Sequence, residues 1–138
     1  MKIRQIRAAD TVILHLSGHL GVGKGVQALR AAVQQVMAAG SSGLILDLSG
    51  VGYLDAAGIG ALVATHRDAL RHGRRVVLTG LRARVQDILG LAGVDHVLDC
   101  ARDQDAALDH VQYARGSEGP LTAGSRPGAG VTLKTSLV

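Results

Sequence analysis

The segment Leu44-Ile45-Leu46-Asp47-Leu48-Ser49-Gly50-Val51-Gly52-Tyr53-Leu54-Asp55-Ala56-Ala57-Gly58-Ile59-Gly60-Ala61-Leu62 admits few folds. Leu44–Leu48 is a short apolar run broken by Asp47 alone, the pattern of a strand covered on both faces. Gly50 and Gly52 interrupt the run, so the predicted strand gives way to a loop. Asp55 stands where a helix N-cap belongs, with its carboxylate in reach of the otherwise unpaired amides of Ala57 or Gly58. Ile59, Leu62, Val63 and Leu70, with His66 one turn beyond Leu62, then fall at helical spacing, and Gly73 stops the helix after His72. A strand buried on both faces that feeds a helix calls for a sheet with helices packed on it.

The rest of the chain supplies those layers. Lys2–Arg7 and Val12–Leu16 read as strands joined by a turn at Ala8-Ala9-Asp10, and they pair antiparallel. After Ser17-Gly18 comes the glycine-rich His19-Leu20-Gly21-Val22-Gly23-Lys24-Gly25. A helix then runs from Val26 to Ala39, with Val26, Leu29, Val33, Val36 and Met37 on one face and Gly40 as its stop. Arg75–Thr79 is a fourth strand, and Arg82–Ala92 a short helix through Val85, Ile88 and Leu89. His96–Asp99 reads as a fifth strand and Asp103–Ala114 as a last helix through Leu108 and Val111. Strands separated by helices imply parallel pairing after the opening hairpin. The fold class is therefore α/β: a mixed sheet with an N-terminal antiparallel hairpin, then parallel strands, and helices packed on the sheet.

With 138 residues the chain has room for one domain and a real core, but it contains no Phe or Trp and its aromatics are Tyr53 and Tyr113. The core is therefore aliphatic, and base-stacking recognition of nucleic acid lacks its platforms. The net charge of +4 allows only loose attraction to polyanions. Cys100 is the single cysteine, which excludes a disulfide framework and a cysteine cluster for zinc. No run approaches the ~20 apolar residues of a membrane span. Met1-Lys2-Ile3-Arg4-Gln5-Ile6-Arg7 alternates like a strand, not like a signal peptide, and a cytoplasmic protein is expected. Residues 115–138 are rich in Gly, Ser and Pro and read as a tail outside the 1–114 domain, although Val131–Val138 alternates like a strand that suits a sheet edge.

A strand ending in Asp47-Leu48-Ser49, followed by Asp55-Ala56-Ala57-Gly58 at a helix start, resembles the hallmark of the STAS domain, a module shared by anti-sigma factor antagonists and sulfate transporters. The order of elements fits the same family, as do Arg74-Arg75-Val76-Val77-Leu78-Thr79-Gly80 and Ile88-Leu89-Gly90-Leu91-Ala92-Gly93-Val94. The resemblance covers residues 1–114 and implies the STAS (SpoIIAA-like) fold. In antagonists that switch, the first serine of Asp-Ser-Ser-Gly is phosphorylated by a kinase that is also the anti-sigma factor. Here that phosphoacceptor position is Ala56 and its neighbour is Ala57, so neither carries a hydroxyl. Where antagonists often have Gly-Glu-Leu-Asp, this chain has Gly18-His19-Leu20-Gly21, and both carboxylates are gone. The resemblance assigns partner binding to His19, Gly21, Asp55, Ala56, Ala57 and Gly58. It implies a non-enzymatic regulatory module, with no cofactor or metal, that binds an ATP-binding serine kinase of the anti-sigma type without phosphate control. It implies neither nucleic-acid binding nor membrane insertion, and the strand edges are compatible with a homodimer.

Two other functions compete with that reading. One is the STAS subunit of a bacterial lipid-transport ABC complex, in which the same helix contacts an ATPase subunit; members of that group also carry alanine before the motif glycine. The other is a small nucleotide-binding protein, because Gly18–Gly25 nearly matches Gly-x4-Gly-Lys-Ser/Thr between a strand and a helix, with Asp47 as a magnesium carboxylate. Gly25 lacks the hydroxyl that motif needs.

The remaining polar residues carry less. His15, His19, His66, His72, His96 and His110 have no metal-ligand spacing and read as surface or satisfied side chains, with His15 pointing outward between Leu14 and Leu16. Ser49 belongs to the strand end and is expected to hydrogen-bond the loop. Arg67, Arg71, His72, Arg74 and Arg75 form a basic cluster at a helix end, read as a solvated face suited to the helix dipole or a contact for an acidic partner.

Overall fold

β1 (Lys2–Ala8) and β2 (Thr11–Leu20) form an antiparallel hairpin in the computed structural model, which describes residues 1–116, with side chains through Val111. The chain continues through α1 (Lys24–Ala38), β3 (Gly43–Leu54), α2 (Ala56–Arg71), β4 (Arg75–Thr79), α3 (Ala83–Leu91), β5 (Cys100–Ala101) and α4 (Gln104–Gly116). The strands lie in the order β1-β2-β3-β4-β5, and every pairing from β2 onward is parallel.

Each central strand is buried on both faces, which explains its unbroken apolar run. Val12, Leu14 and Leu16 of β2, Leu44, Leu46 and Leu48 of β3, and Val76 and Leu78 of β4 share a core with α1, α2 and α3. Ile13, Ile45 and Val77 point the other way and meet Ala107 and Val111 of α4. Gly43 makes room for that helix, since a β-carbon there would run into the Val111 side chain. Asp103 caps α4, its Oδ1 accepting the Ala106 amide at 2.9 Å.

Several elements differ from the sequence reading. β2 and β3 run on through the glycines expected to end them, because register shifts between His15 and Ser17 and between Gly18 and His19 absorb the irregularity as bulges. β5 is Cys100–Ala101, not His96–Asp99. The amides of Val97 and Leu98 both bond to the Val94 carbonyl, so this stretch is turn, and pairing with β4 starts only where Leu78 N donates to Asp99 O at 2.8 Å. α2 buries Gly58, Ala61, Leu62, Thr65, His66 and Ala69, whereas Leu70 is 53% exposed. Small side chains on that stripe let α2 seat closely, which leaves Ile59 and Val63 on its half-buried flanks. α1 buries Val26, Leu29, Val33 and Val36 as its spacing predicts. The tail expected over 115–138 lies, beyond the end of α4, outside the described residues.

Candidate functional site

Parallel strands deliver their carboxyl ends to one edge of the sheet, so the connections leaving β2, β3 and β4 open α1, α2 and α3 side by side. The start of α2 is pressed against the end of β2. Gly58 permits this, because a β-carbon there would collide with the Leu20 carbonyl oxygen, a backbone atom that cannot swing aside. The Asp55 amide also donates to that oxygen, at 3.3 Å.

Asp55 ties two connections together. Its Oδ1 accepts the Gly58 amide at 3.0 Å, the N-cap bond expected from sequence, and its Oδ2 accepts the Val22 amide at 3.0 Å. The Val22 and Gly58 amides hold the Asp55 carboxyl below its ordinary range against a smaller opposing effect of burial, with help from nearby His19 and the Ala57 amide. Gly21 lets this cluster close: a β-carbon there would stand 2.7 Å from both Asp55 Oδ2 and His19 Nε2. Of the residues assigned to partner binding, His19 and Ala56 are exposed and Asp55 and Ala57 half-buried, while Gly21 and Gly58 are buried and act by allowing close approach. The tip of α2 thus presents methyl groups at its first turn and no hydroxyl.

Three neighbours complete the surface, and sequence reasoning did not single them out. Tyr53 is 44% exposed, and its ring lies 5.3 Å from that of His19, directly across the β2–β3 register. The Arg84 guanidinium sits 5.5 Å from the centre of the Tyr53 ring. Arg82 Nε donates to the Ser49 carbonyl at 2.7 Å, crossing from the start of α3 to β3. The signal available in sequence was the position of Arg82 and Arg84 just after a strand parallel to the one that carries Tyr53 near its end.

The glycine-rich passage is shorter as a loop than its sequence suggests. Gly18 and His19 lie within β2, and only Gly21, Val22 and Gly23 separate it from α1. The Val22 amide is taken by Asp55, and the Val26 and Gln27 amides by the Gly21 and Gly23 carbonyls. Among the described residues no group of three His, Cys, Asp or Glu side chains is placed to hold a metal ion.

Other titratable residues have structural partners. His15 does not point outward: it stands in register with Asp47, and its Nδ1 lies 2.7 Å from Asp47 Oδ2. Burial pushes the Asp47 carboxyl up, but the Ser49 amide and hydroxyl and the His15 ring outweigh it and hold it below its ordinary range. His66 is buried in α2 and its Nδ1 has no hydrogen-bond partner, which corrects its reading as a surface or satisfied histidine. Burial lowers its pKa, Asp99 opposes, and Arg75 and Arg67 add to the lowering. Burial, with Asp99 and Asp95, pushes the Cys100 thiol up to about 12. The basic cluster is divided among separate partners: Arg71 pairs with Asp68, Arg74 donates to the Met37 carbonyl at 2.7 Å, and Arg75 to Asp99 at 2.8 Å.

Comparison with known proteins matches residues 3–99 to the family model described as "Mlab, STAS domain". A candidate anti-sigma factor antagonist from Thermotoga maritima superposes with a TM-score of 0.73 at 20% identity, covering 80% of this chain and 94% of that one. The Bacillus anti-sigma factor antagonist SpoIIAA, in its unphosphorylated form, gives 0.68 at 19% identity, covering 81% and 97%. A sulfate transporter family protein from Wolinella succinogenes gives 0.68 at 20% identity, covering 80% and 92%. Likeness at these identities establishes the shared fold.

Proposed function

The chain belongs to the STAS domain family, and from that premise we propose that it is a non-enzymatic regulatory module of the anti-sigma factor antagonist kind, which docks on an ATP-binding anti-sigma kinase through the tip of α2 and is not switched by phosphate there. The observation that carries this reading is Ala56: exposed, in the first turn of α2, beside the Asp55 cap, and without an oxygen to esterify. A phosphate at that position would add nearly two negative charges to a docking face. Alanine keeps the face permanently in its unphosphorylated form. His19, Asp55 and Ala57 flank the contact, and Gly21 and Gly58 hold its shape. Among the described residues no helix is long and apolar enough to cross a membrane, and we place the protein in the cytoplasm.

A second reading is docking on the ATPase subunit of a bacterial lipid-transport ABC complex. The Ala57-Gly58 pair and the match to the Mlab description favour it. Both readings use the same helix tip, so one experiment tests them together. Affinity capture from the native organism is run with the wild-type chain and with Ala56→Glu. Glutamate suits a helix start and preserves α2, yet it places on the face the charge that phosphate would bring. The expected result is recovery of a serine-kinase ATPase by the wild type and its loss with the variant. A transporter ATPase in its place establishes the second reading, and equal capture by both chains overturns both. Incubation with the captured kinase and ATP should leave residues 53–60 unmodified by mass spectrometry.

A further inference from the structure

α1, α2 and α3 open at one edge of the sheet, and none of them carries an acidic residue in its first turn. Helix starts favour carboxylates, because the free amides and the helix dipole make that end positive. This chain places cations there instead. Lys24 is the first residue of α1, Arg82 is the N-cap of α3, and Arg84 lies in its first turn. All three are exposed, as is His19 beside them. None of the three joins an ion pair among the described residues. The oxygens of Asp55 are each engaged by a backbone amide, and Asp47, in register with the last residue of β4, is taken by His15 and the Ser49 amide. Along α3 the first carboxylate is Asp87, beyond the opening turn.

Cations stand at three positions that favour carboxylates, gathered on one edge. Arg82 also ties α3 to β3 through its Nε bond to the Ser49 carbonyl, but no carboxylate pairs with any of the three among the described residues, and local rules broken together mark a functional surface. Apolar groups lie among them: Val22 is 80% exposed and Tyr53 is held beneath Arg84. That contact restrains the guanidinium before any partner arrives, which lowers the ordering cost of binding. One tyrosine supplies no track for stacked bases, whereas cations interleaved with a valine, an alanine and a tyrosine suit a protein surface.

We propose that this edge is a cationic ledge that receives an acidic segment of the partner protein, whose carboxylates pair with Lys24, Arg82 and Arg84 around the Tyr53 ring. The proposal rests on the docking reading above and adds the chemistry of what docks. Its test uses a defined probe, a synthetic octapeptide of glutamates with two leucines, titrated into the isotopically labelled full chain. Amide shifts are expected at Gly21–Lys24, Tyr53–Ala57 and Arg82–Arg84, with affinity falling roughly tenfold between about 50 and about 500 mM salt. Lys24→Glu combined with Arg84→Glu should abolish the shifts while the thermal midpoint holds or rises, because carboxylates suit helix starts. Arg84→Gln, which keeps shape and removes one charge, should give a graded loss, and Arg67→Glu at the far end of α2 should change nothing. Unaltered binding by the double variant, equal binding of an octalysine peptide, or shifts centred on Arg67 and Arg71 overturns the ledge. The docking reading fails separately, by capture that ignores Ala56→Glu.

Discussion

Two glycines of α2, Gly58 and Gly60, make the same residue type do opposite things. A β-carbon at Gly58 meets the Leu20 carbonyl oxygen, whereas one at Gly60 meets nothing within 4 Å. Intrinsic propensity favours alanine over glycine inside a helix at both positions, by about 1 kcal/mol. At Gly60 that preference is unopposed, so Gly60→Ala should stabilise the protein by about 0.5–1 kcal/mol. At Gly58 the helix start must retreat from β2, and overpacking of this kind costs about 1–3 kcal/mol, which outweighs the propensity gain. Urea unfolding of the two variants reads the difference directly, with midpoints moving in opposite directions. A stabilised Gly58→Ala would mean that α2 does not seat on Leu20, and the placement of Ala56 at the docking tip would fall with it. The hydroxyl-free tip is itself a residue-scale feature visible in sequence, whereas the buried roles of Gly21 and Gly58 depend on contacts that no spacing reveals.

α2 is the element on which sequence and structure part most instructively. Its spacing suggests a face through Ile59, Leu62, Val63 and Leu70, with His66 one turn beyond Leu62; the fold buries Leu62 and His66 together with Gly58, Ala61, Thr65 and Ala69, and leaves Leu70 exposed. Hydropathy cannot see that small side chains win a close-packed site, and a histidine on that stripe has the least obvious reason to be there. His66 has a pH consequence with a definite sign. Its folded pKa lies below the ordinary value, so the unfolded chain binds more protons as pH falls past about 6.5. Stability is therefore flat above that pH and declines below it, until the folded His66 also protonates. Asp47 and Asp55 add their own losses only lower, as pH falls through their depressed carboxyl values. Urea midpoints measured between about pH 7.5 and about pH 5 should slope for the wild type and flatten for His66→Leu. An unchanged slope would assign the dependence to other groups. Elsewhere the elements were more legible. β4 and the buried face of α1 follow clean periodicities, and Asp55 announces its own cap. β5 misleads because Val97 and Leu98 look like strand while their amides already serve Val94. The Tyr53–His19–Arg84 grouping needs both the β2–β3 register and the start of α3, and neither is written in any one segment.

Across the whole molecule the sheet separates two packings of unequal size. One face carries α1, α2 with its tip, and α3, while the other is covered at Ile13, Ile45 and Val77 by Ala107 and Val111 of α4. A helix held by a small cluster opens at a lower free energy than the core it covers, so α4 is expected to exchange its amides well before β2 and β3. Val111 is fully buried and fills the space left open by Gly43. Val111→Ala removes that contact and should cost about 1–3 kcal/mol, most of it in the attachment of α4. Because Asp55, Gly58 and Val22 make their bonds on the opposite side of the sheet, the amide resonances of residues 53–60 should stay where they are while those of α4 lose protection from hydrogen exchange. The two faces are then energetically separable, and damage to α4 leaves partner capture intact. If the α2 tip shifts together with α4, the central strands transmit strain from one face to the other, and the docking surface must be treated as coupled to the C-terminal helix.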